Sequence, residues 1–297
     1  MTFPITTLRP IVFDDRIRGL VKNVFWEDIL ALTESIAHRV DVFHVEFEVC
    51  NRKWVGYILR PSDRENIWWI VYCRGGTGDF WKLNVAQVFS ILAPFAAQWY
   101  TIFAPQYAWN GGSEGFDEIG WQDIEDVLIA PKIFHAFLGH IPDYIGMFAE
   151  SRGAIMAYKT LAQADWVKAM VVQGWVTNLE RWVSLRADLL DAWKDRFPQT
   201  EESYFDRSAL CWPEKLAKNV PILLMHGMSD WRVSPLDSIE LSMSFLKHKV
   251  PHRLICFEWT DHGLSEVANE AFGMTIGWFD RFIKNKELIP NTEPHGR

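Results

Sequence analysis

The sequence predicts an α/β protein, with a mostly parallel central sheet covered by helices on both faces. Three observations predict it. From residue 67 onward, apolar runs at 67–73, 100–104, 144–148, 169–172, 222–225 and 254–257 alternate with helical stretches, the pattern of strands buried on both faces of a sheet. One run leads into Ala149-Glu150-Ser151-Arg152-Gly153, a serine flanked two positions away on each side by a small residue. Two later runs lead into Asp230 and His262.

The serine pentapeptide reads as a nucleophile elbow. A strand that turns abruptly into a helix strains its apex residue, and side chains flanking the turn collide unless they are small. Glycine usually fills both places; here the first is Ala149 and the second Gly153. A serine-capped helix N-terminus is the plainer alternative, and the acid and histidine later in the chain decide against it. Serine, then acid, then histidine is the α/β-hydrolase order. The expected architecture is therefore an α/β-hydrolase fold with a small helical cap.

In chain order, residues 25–38 come first and set Trp26, Ile29, Leu30, Ile36 and Ala37 on one helical face, with Thr33 interrupting the stripe. Residues 41–49 alternate, with Val42 and His44 on one side and Phe43, Val45, Phe47 and Val49 on the other. After the turn Asn51-Arg52-Lys53, residues 54–59 complete an antiparallel hairpin. The parallel strands come next. Between residues 174 and 220, Trp182, Leu185, Leu189, Leu190 and Trp193 recur at helix-like spacing before a break at Pro198. That stretch is too long for an ordinary connection and is expected to cap the active site. The chain is read as one domain over 1–297, with an N-terminal helix and hairpin in 1–64 and the cap in 175–219.

With 297 residues, 49% of them hydrophobic, the chain can bury a large core. A net charge of −8 argues against nucleic acid as a partner, since phosphate-backbone binding relies on clustered Lys and Arg. The first ten residues lack a basic segment followed by an apolar run, and no apolar stretch is long enough to span a bilayer. A cytoplasmic protein without membrane partners is expected. Cys50, Cys73, Cys211 and Cys256 are dispersed, without C-x-x-C or metal-ligand spacing, and read as reduced core thiols. His135 and His140, five apart, do not share a helical face as a zinc pair would. Gly75-Gly76-Thr77-Gly78 lacks the third glycine of a dinucleotide fingerprint, because Trp81 stands there. Neither a metal nor a cofactor is expected.

Five motifs now stand in order: Tyr72-Cys73-Arg74-Gly75-Gly76, Asn110-Gly111-Gly112-Ser113-Glu114-Gly115, the Ser151 elbow, His226-Gly227-x-x-Asp230-x-x-Val233, and Asp261-His262-Gly263. Over about residues 65–285 the chain resembles the catalytic domain of prolyl oligopeptidase-type serine hydrolases, a group that also holds dipeptidyl and acylaminoacyl peptidases. The resemblance implies Ser151 as nucleophile, His262 as general base and acid, and Asp230 as the carboxylate that orients His262. The chemistry agrees, because a serine hydroxyl needs an adjacent base and a buried carboxylate fixes the imidazole tautomer. Asp261 competes for the acid role, but a sequence neighbour of His262 does not usually reach its far ring nitrogen. The backbone N–H of Arg152 is a candidate oxyanion donor, and the resemblance implies the N–H of Gly76 as the other.

Two departures stand out. Some 65 residues precede the catalytic part, too few for a β-propeller whose blades take about 40 residues each, and Ala149 and Ala154 occupy positions that are commonly glycine in the family. Of sixteen tryptophans, Trp68 and Trp69 read as core. Trp109, Trp175, Trp182 and Trp231, with Val233, are expected to line an acyl or alcohol pocket. Arg152 is expected to pair with Asp123 or Asp126. The function expected is hydrolysis of a small ester or short acylated amide through an acyl-enzyme, with binding by apolar burial favouring uncharged acyl esters. The alternatives are an aminopeptidase or acylaminoacyl peptidase, gated by its cap or by packing in a homo-oligomer, and a catalytically silent binding protein on the same fold.

Overall fold

The computed structural model describes residues 5–293 apart from 26, 50–51, 64–67, 79, 187, 189–192 and 217–218. Trp26, Cys50, Asn51, Ile67, Leu189 and Leu190, and the first four residues of the chain, lie outside the described residues. The strands are β1 (Ile5–Ile11), β2 (Val40–Val49), β3 (Arg52–Pro61), β4 (Trp68–Cys73), β5 (Tyr100–Pro105), β6 (Ile145–Glu150), β7 (Val167–Gln173), β8 (Ile222–Gly227) and β9 (His252–Phe257). They form one sheet in the order β1-β2-β3-β5-β4-β6-β7-β8-β9. The pairs from β1 to β5 are antiparallel, and every pair from β5 through β9 is parallel.

Side chains on the parallel strands divide between two apolar layers. Trp69, Val71 and Cys73 of β4 pack in one layer with Met147 and Ala149 of β6, while Ile70 and Tyr72 enter the other with Phe148. That period-two division leaves no polar face, which is why these strands read as unbroken apolar runs. From β4 the chain passes to β5 on one side, and β6 lies on the other. The strand order thus reverses beside β4, and such a reversal opens a crevice outside the C-terminal strand ends.

The N-terminal part holds more than the sequence pattern anticipates. β1 adds an edge strand, and a helix at Asp15–Val24 buries Ile17 and Val21. Its N-cap, Asp14, accepts the Ile17 N–H at 2.8 Å. The helix expected at 25–38 spans Glu27–Ala37, and Thr33 lies on its buried face, where its hydroxyl donates to the Ile29 carbonyl at 2.7 Å. That local bond makes a polar residue tolerable in an apolar stripe. Cys73 is buried but Cys211 is exposed, so the expectation of core thiols fails at that position. Among the described residues no helix is long and apolar enough to cross a membrane.

Between β7 and β8 lie helices at Leu179–Leu185 and Glu201–Asp206 and short turns at Ala209–Cys211 and Pro213–Leu216. Leu179, Trp182, Val183, Trp193 and Phe197 of this segment share an apolar cluster with Ile119, Ile155 and Val233. Ile155 belongs to the helix Gly153–Gln163, which follows β6. The segment is therefore seated on the elbow helix by apolar packing.

The elbow is pressed against the end of β4. A Cβ on Gly153 would stand 2.1 Å from the Cys73 carbonyl oxygen and 2.6 Å from that of Arg74. Both are backbone atoms, so neither can swing away. We expect Gly153→Ala to cost at least the roughly 1–3 kcal/mol typical of overpacking and to lower the melting temperature by several degrees. A calorimetric melt checks this, and an unchanged Tm would contradict the close approach.

Candidate active site

Ser151 sits at the apex of the turn from β6 into its helix with φ +51°, a left-handed conformation costly for any residue with a Cβ. The turn is held because the Ser151 N–H donates to the Gln173 carbonyl of β7 at 2.9 Å. Strain retained at one partly exposed serine is what an elbow uses to lift its side chain clear of the sheet.

Loops after β8 and β9 supply the other two groups. His262 Nε2 is 2.9 Å from Ser151 Oγ, and His262 Nδ1 is 2.7 Å from Asp230 Oδ2. With the carboxylate facing Nδ1, the proton belongs there, which leaves the Nε2 lone pair directed at the serine hydroxyl. The two loops touch: a Cβ on Gly227 would lie 2.3 Å from the Asp261 carbonyl oxygen and 2.5 Å from that of Thr260. Glycine there brings the acid loop against the histidine loop.

Asp230 is held from several directions. Oδ1 accepts the N–H groups of Arg232 at 2.8 Å and Val233 at 3.0 Å, and Oδ2 also faces His226 Nε2 at 3.0 Å. Burial works to raise its pKa, yet the bonds from His226, His262 and the Val233 N–H outweigh it and hold the carboxyl well below the usual carboxylate range. His226 Nε2 also lies 3.2 Å from the Val233 carbonyl. Facing two acceptors, it carries the proton, and Nδ1 accepts from the Ser238 hydroxyl. The sequence pattern assigns His226 no role, although its position four residues before Asp230 is visible in the motif.

Asp261 is occupied otherwise. Its Oδ1 accepts the N–H groups of Gly263 at 2.9 Å and Ser265 at 3.1 Å, and its Oδ2 accepts from the Ser265 hydroxyl at 3.2 Å. Those bonds close its own turn. It makes no bond to His262 among the described residues.

The candidate oxyanion donors lie on either side of the serine. Gly75 abuts the elbow, since a Cβ there would stand 3.1 Å from Ser151 Cβ, and Gly76 follows with φ +70°. Among the described residues neither the Gly76 nor the Arg152 backbone N–H has a hydrogen-bond partner; Arg152 stands at a helix start, where N–H groups lack intrahelical acceptors. The Arg152 side chain points the other way. Buried to 2% exposure, its guanidinium pairs with Asp117 and, at 3.3 Å, with Asp123. Burial opposes its charge, and the two aspartates restore it. Of the two partners expected, Asp123 is met. Asp126 instead pairs with Arg52, while burial pushes its carboxyl up to about 8.

The pocket expected from the tryptophans divides. Trp175 is fully buried in the core against the His226 ring, at 5.3 Å between centroids. Trp182 packs on Trp193 and donates its Nε1–H to the Arg232 carbonyl at 2.7 Å, and Val233 is buried in the same cluster. These three fill space between layers and offer no open surface. Trp109, 59% exposed, stacks on Phe116, and Trp231, 68% exposed, has Arg186 and Arg232 each 5.0 Å from its ring. Of the five, these two alone present open faces. Trp69 is core, as expected, and Trp68 is partly buried. No cluster of His, Cys, Asp and Glu suited to a metal occurs among the described residues.

Asp230→Asn is expected to lower turnover by about four orders of magnitude, as when a triad histidine loses its tautomer control. Asp261→Asn should stay within about tenfold, in keeping with a turn-closing role. Steady-state kinetics on both variants decides, and the reverse ranking moves the acid role to Asp261.

Comparison with known proteins bears on family and fold. Residues 114–286 match the model of the prolyl oligopeptidase family. The chain is 28% identical over 184 residues to the uncharacterized peptidase YtmA of Bacillus subtilis, covering 60% of this chain and 69% of that protein. Its fold is similar to that of the Pyrococcus horikoshii acylaminoacyl peptidase, with a TM-score of 0.68 and 20% identity, covering 83% of this chain and 42% of that one. It is also similar to a Pyrococcus furiosus esterase, with a TM-score of 0.60 and 16% identity, covering 80% of this chain and 89% of that one. The chain thus spans less than half the length of the acylaminoacyl peptidase it matches. With more than half of its residues inside the family model, this α/β-hydrolase-fold chain belongs to the prolyl oligopeptidase family of serine hydrolases.

Proposed function

We propose that Ser151, His262 and Asp230 are the catalytic triad of a hydrolase acting on a small ester or short acylated amide. The observation that carries this reading is the unbroken contact from Ser151 Oγ through His262 to a buried Asp230. In the proposed cycle His262 Nε2 takes the Ser151 proton as the hydroxyl attacks the carbonyl carbon. The oxyanion receives the Gly76 and Arg152 N–H groups, each donor worth about 3 to 4 kcal/mol of barrier. His262 then gives its proton to the leaving group, and water, activated by the same nitrogen, releases the acyl chain.

The reading includes a single domain over 1–297 in which residues 175–219 act as a cap, because that segment packs on the elbow helix. It also includes a cytoplasmic location, which fractionation of a tagged protein would test. A peptidase is the second reading, favoured by the likeness to acylaminoacyl peptidase in fold and to YtmA in sequence.

A fluorophosphonate probe should label the protein and fail to label Ser151→Ala, because only an activated serine reacts. Labelling that persists in the variant, or that maps to Ser113 or Ser229, would reassign the nucleophile.

Substrate class separates the two readings. Short p-nitrophenyl esters should give larger kcat/KM values than proline-containing or free-amine aminoacyl p-nitroanilides on one preparation. Anilides turned over better than esters would replace the esterase reading with the peptidase.

A further inference from the structure

Beside the oxyanion loop the Arg196 guanidinium has no carboxylate partner among the described residues. Arg196, from the segment between β7 and β8, lies over the ring of Trp109 at 4.6 Å and that of Phe116 at 5.7 Å. Among the described residues it makes neither a salt bridge nor a side-chain hydrogen bond, and its Nη1 is buried without a partner. The carboxylate that feels its field, Asp117, is engaged by Arg152. Arg152, Arg74 and Arg196 all act on that one carboxylate. A guanidinium with buried, unmade hydrogen bonds is costly unless a ligand completes it.

One loop links the group to the candidate nucleophile. Arg196 Nη2 is 3.3 Å from where a Cβ on Gly78 would stand, and Gly75, on the same loop, is 3.1 Å from Ser151 Cβ by the same measure. Three residues of chain span at most about 11 Å. The surroundings are aromatic and open: Phe80 and Trp81 follow the loop, Trp109 and Phe116 stack at 5.2 Å, and all four are exposed. An open aromatic surface of this kind beside a catalytic serine is unusual unless a ligand covers it.

We propose that Arg196 is a specificity-determining residue that binds a carboxylate carried by the substrate a few bonds from the scissile carbonyl. The guanidinium lies over the aromatic pair with Nη1 unpaired, and a guanidinium matches a carboxylate in a two-bond fork. An apolar chain between carbonyl and carboxylate lies along the Trp109–Phe116 surface. The sequence leads to the expectation of an uncharged acyl ester; the unpaired Arg196 favours an anionic one. This inference deepens the proposed function and rests on its placing of the reacting carbonyl at Ser151.

The test reads binding without turnover, in protein carrying Ser151→Ala, by calorimetric titration. Monomethyl adipate is compared with dimethyl adipate, and 6-acetoxyhexanoate with its methyl ester. The first pair puts the carboxylate on the acyl side and the second on the leaving-group side. In at least one pair the anion should bind ten times or more tighter than its neutral partner. That preference should vanish in Arg196→Gln and partly return in Arg196→Lys, with Arg196→Ala replacing the first should it not fold. Equal affinities within both pairs, or a preference that survives in Arg196→Gln, overturns the proposal. A protein that binds the anion through Arg196 but hydrolyses no ester with Ser151 intact would sink the hydrolase reading and leave the binding site standing.

Discussion

The whole site depends on one close approach, that of the elbow to the end of β4. Gly153 permits it because the Cys73 and Arg74 carbonyls occupy the space a side chain would need. With that contact made, Ser151 is fixed at positive φ and the Gly75–Gly76 loop lies against the serine. The two candidate oxyanion donors then come from chain segments whose distance is set by backbone packing. Such positioning needs no reorganisation during reaction, which is the condition under which electrostatic stabilisation is most effective.

Around that contact the protein buries charge in pairs. Arg152 points away from the cleft to Asp117 and Asp123, and Arg52 meets Asp126. Such pairs are weak evidence for net stability, because removing each ion from water offsets the attraction. Breaking one is costly, so they fix the loop at 117–126 against the elbow and against β3. Asp230 follows the same logic with a chemical result. Two histidines and two N–H groups keep it ionised, and an ionised carboxylate is what holds the His262 proton on Nδ1.

Much of this is legible in the sequence because the constraints are local. The elbow needs small residues at fixed offsets from Ser151, and parallel strands buried on both faces need apolar runs. What stays hidden depends on partners far along the chain. β1 alternates only weakly and lies at a sheet edge, so its residues carry little burial signal. Tryptophan identity says that a side chain is large, not which layer it fills, so Trp175 and Trp182 go to the core while Trp109 and Trp231 stay open. Asp117 meets Arg152 across 35 residues, a separation without a periodic signature. Arg196 is unreadable for the opposite reason: it lies over Trp109 and Phe116 without a carboxylate partner among the described residues, which only three-dimensional packing reveals.

Acylation of Ser151 is the step on which the proposed chemistry stands, and trapping the intermediate tests it. Rapid acid quench during turnover of a p-nitrophenyl ester, combined with intact-mass and peptide analysis, reads the covalent species without a suicide reagent. The expected result is a mass increase equal to one acyl group, confined to the peptide that contains Ser151 and absent when Asp230 is replaced by asparagine and turnover is lost. Hydrolysis without any covalent species, or an acyl group on another residue, would show that Ser151 is not the nucleophile.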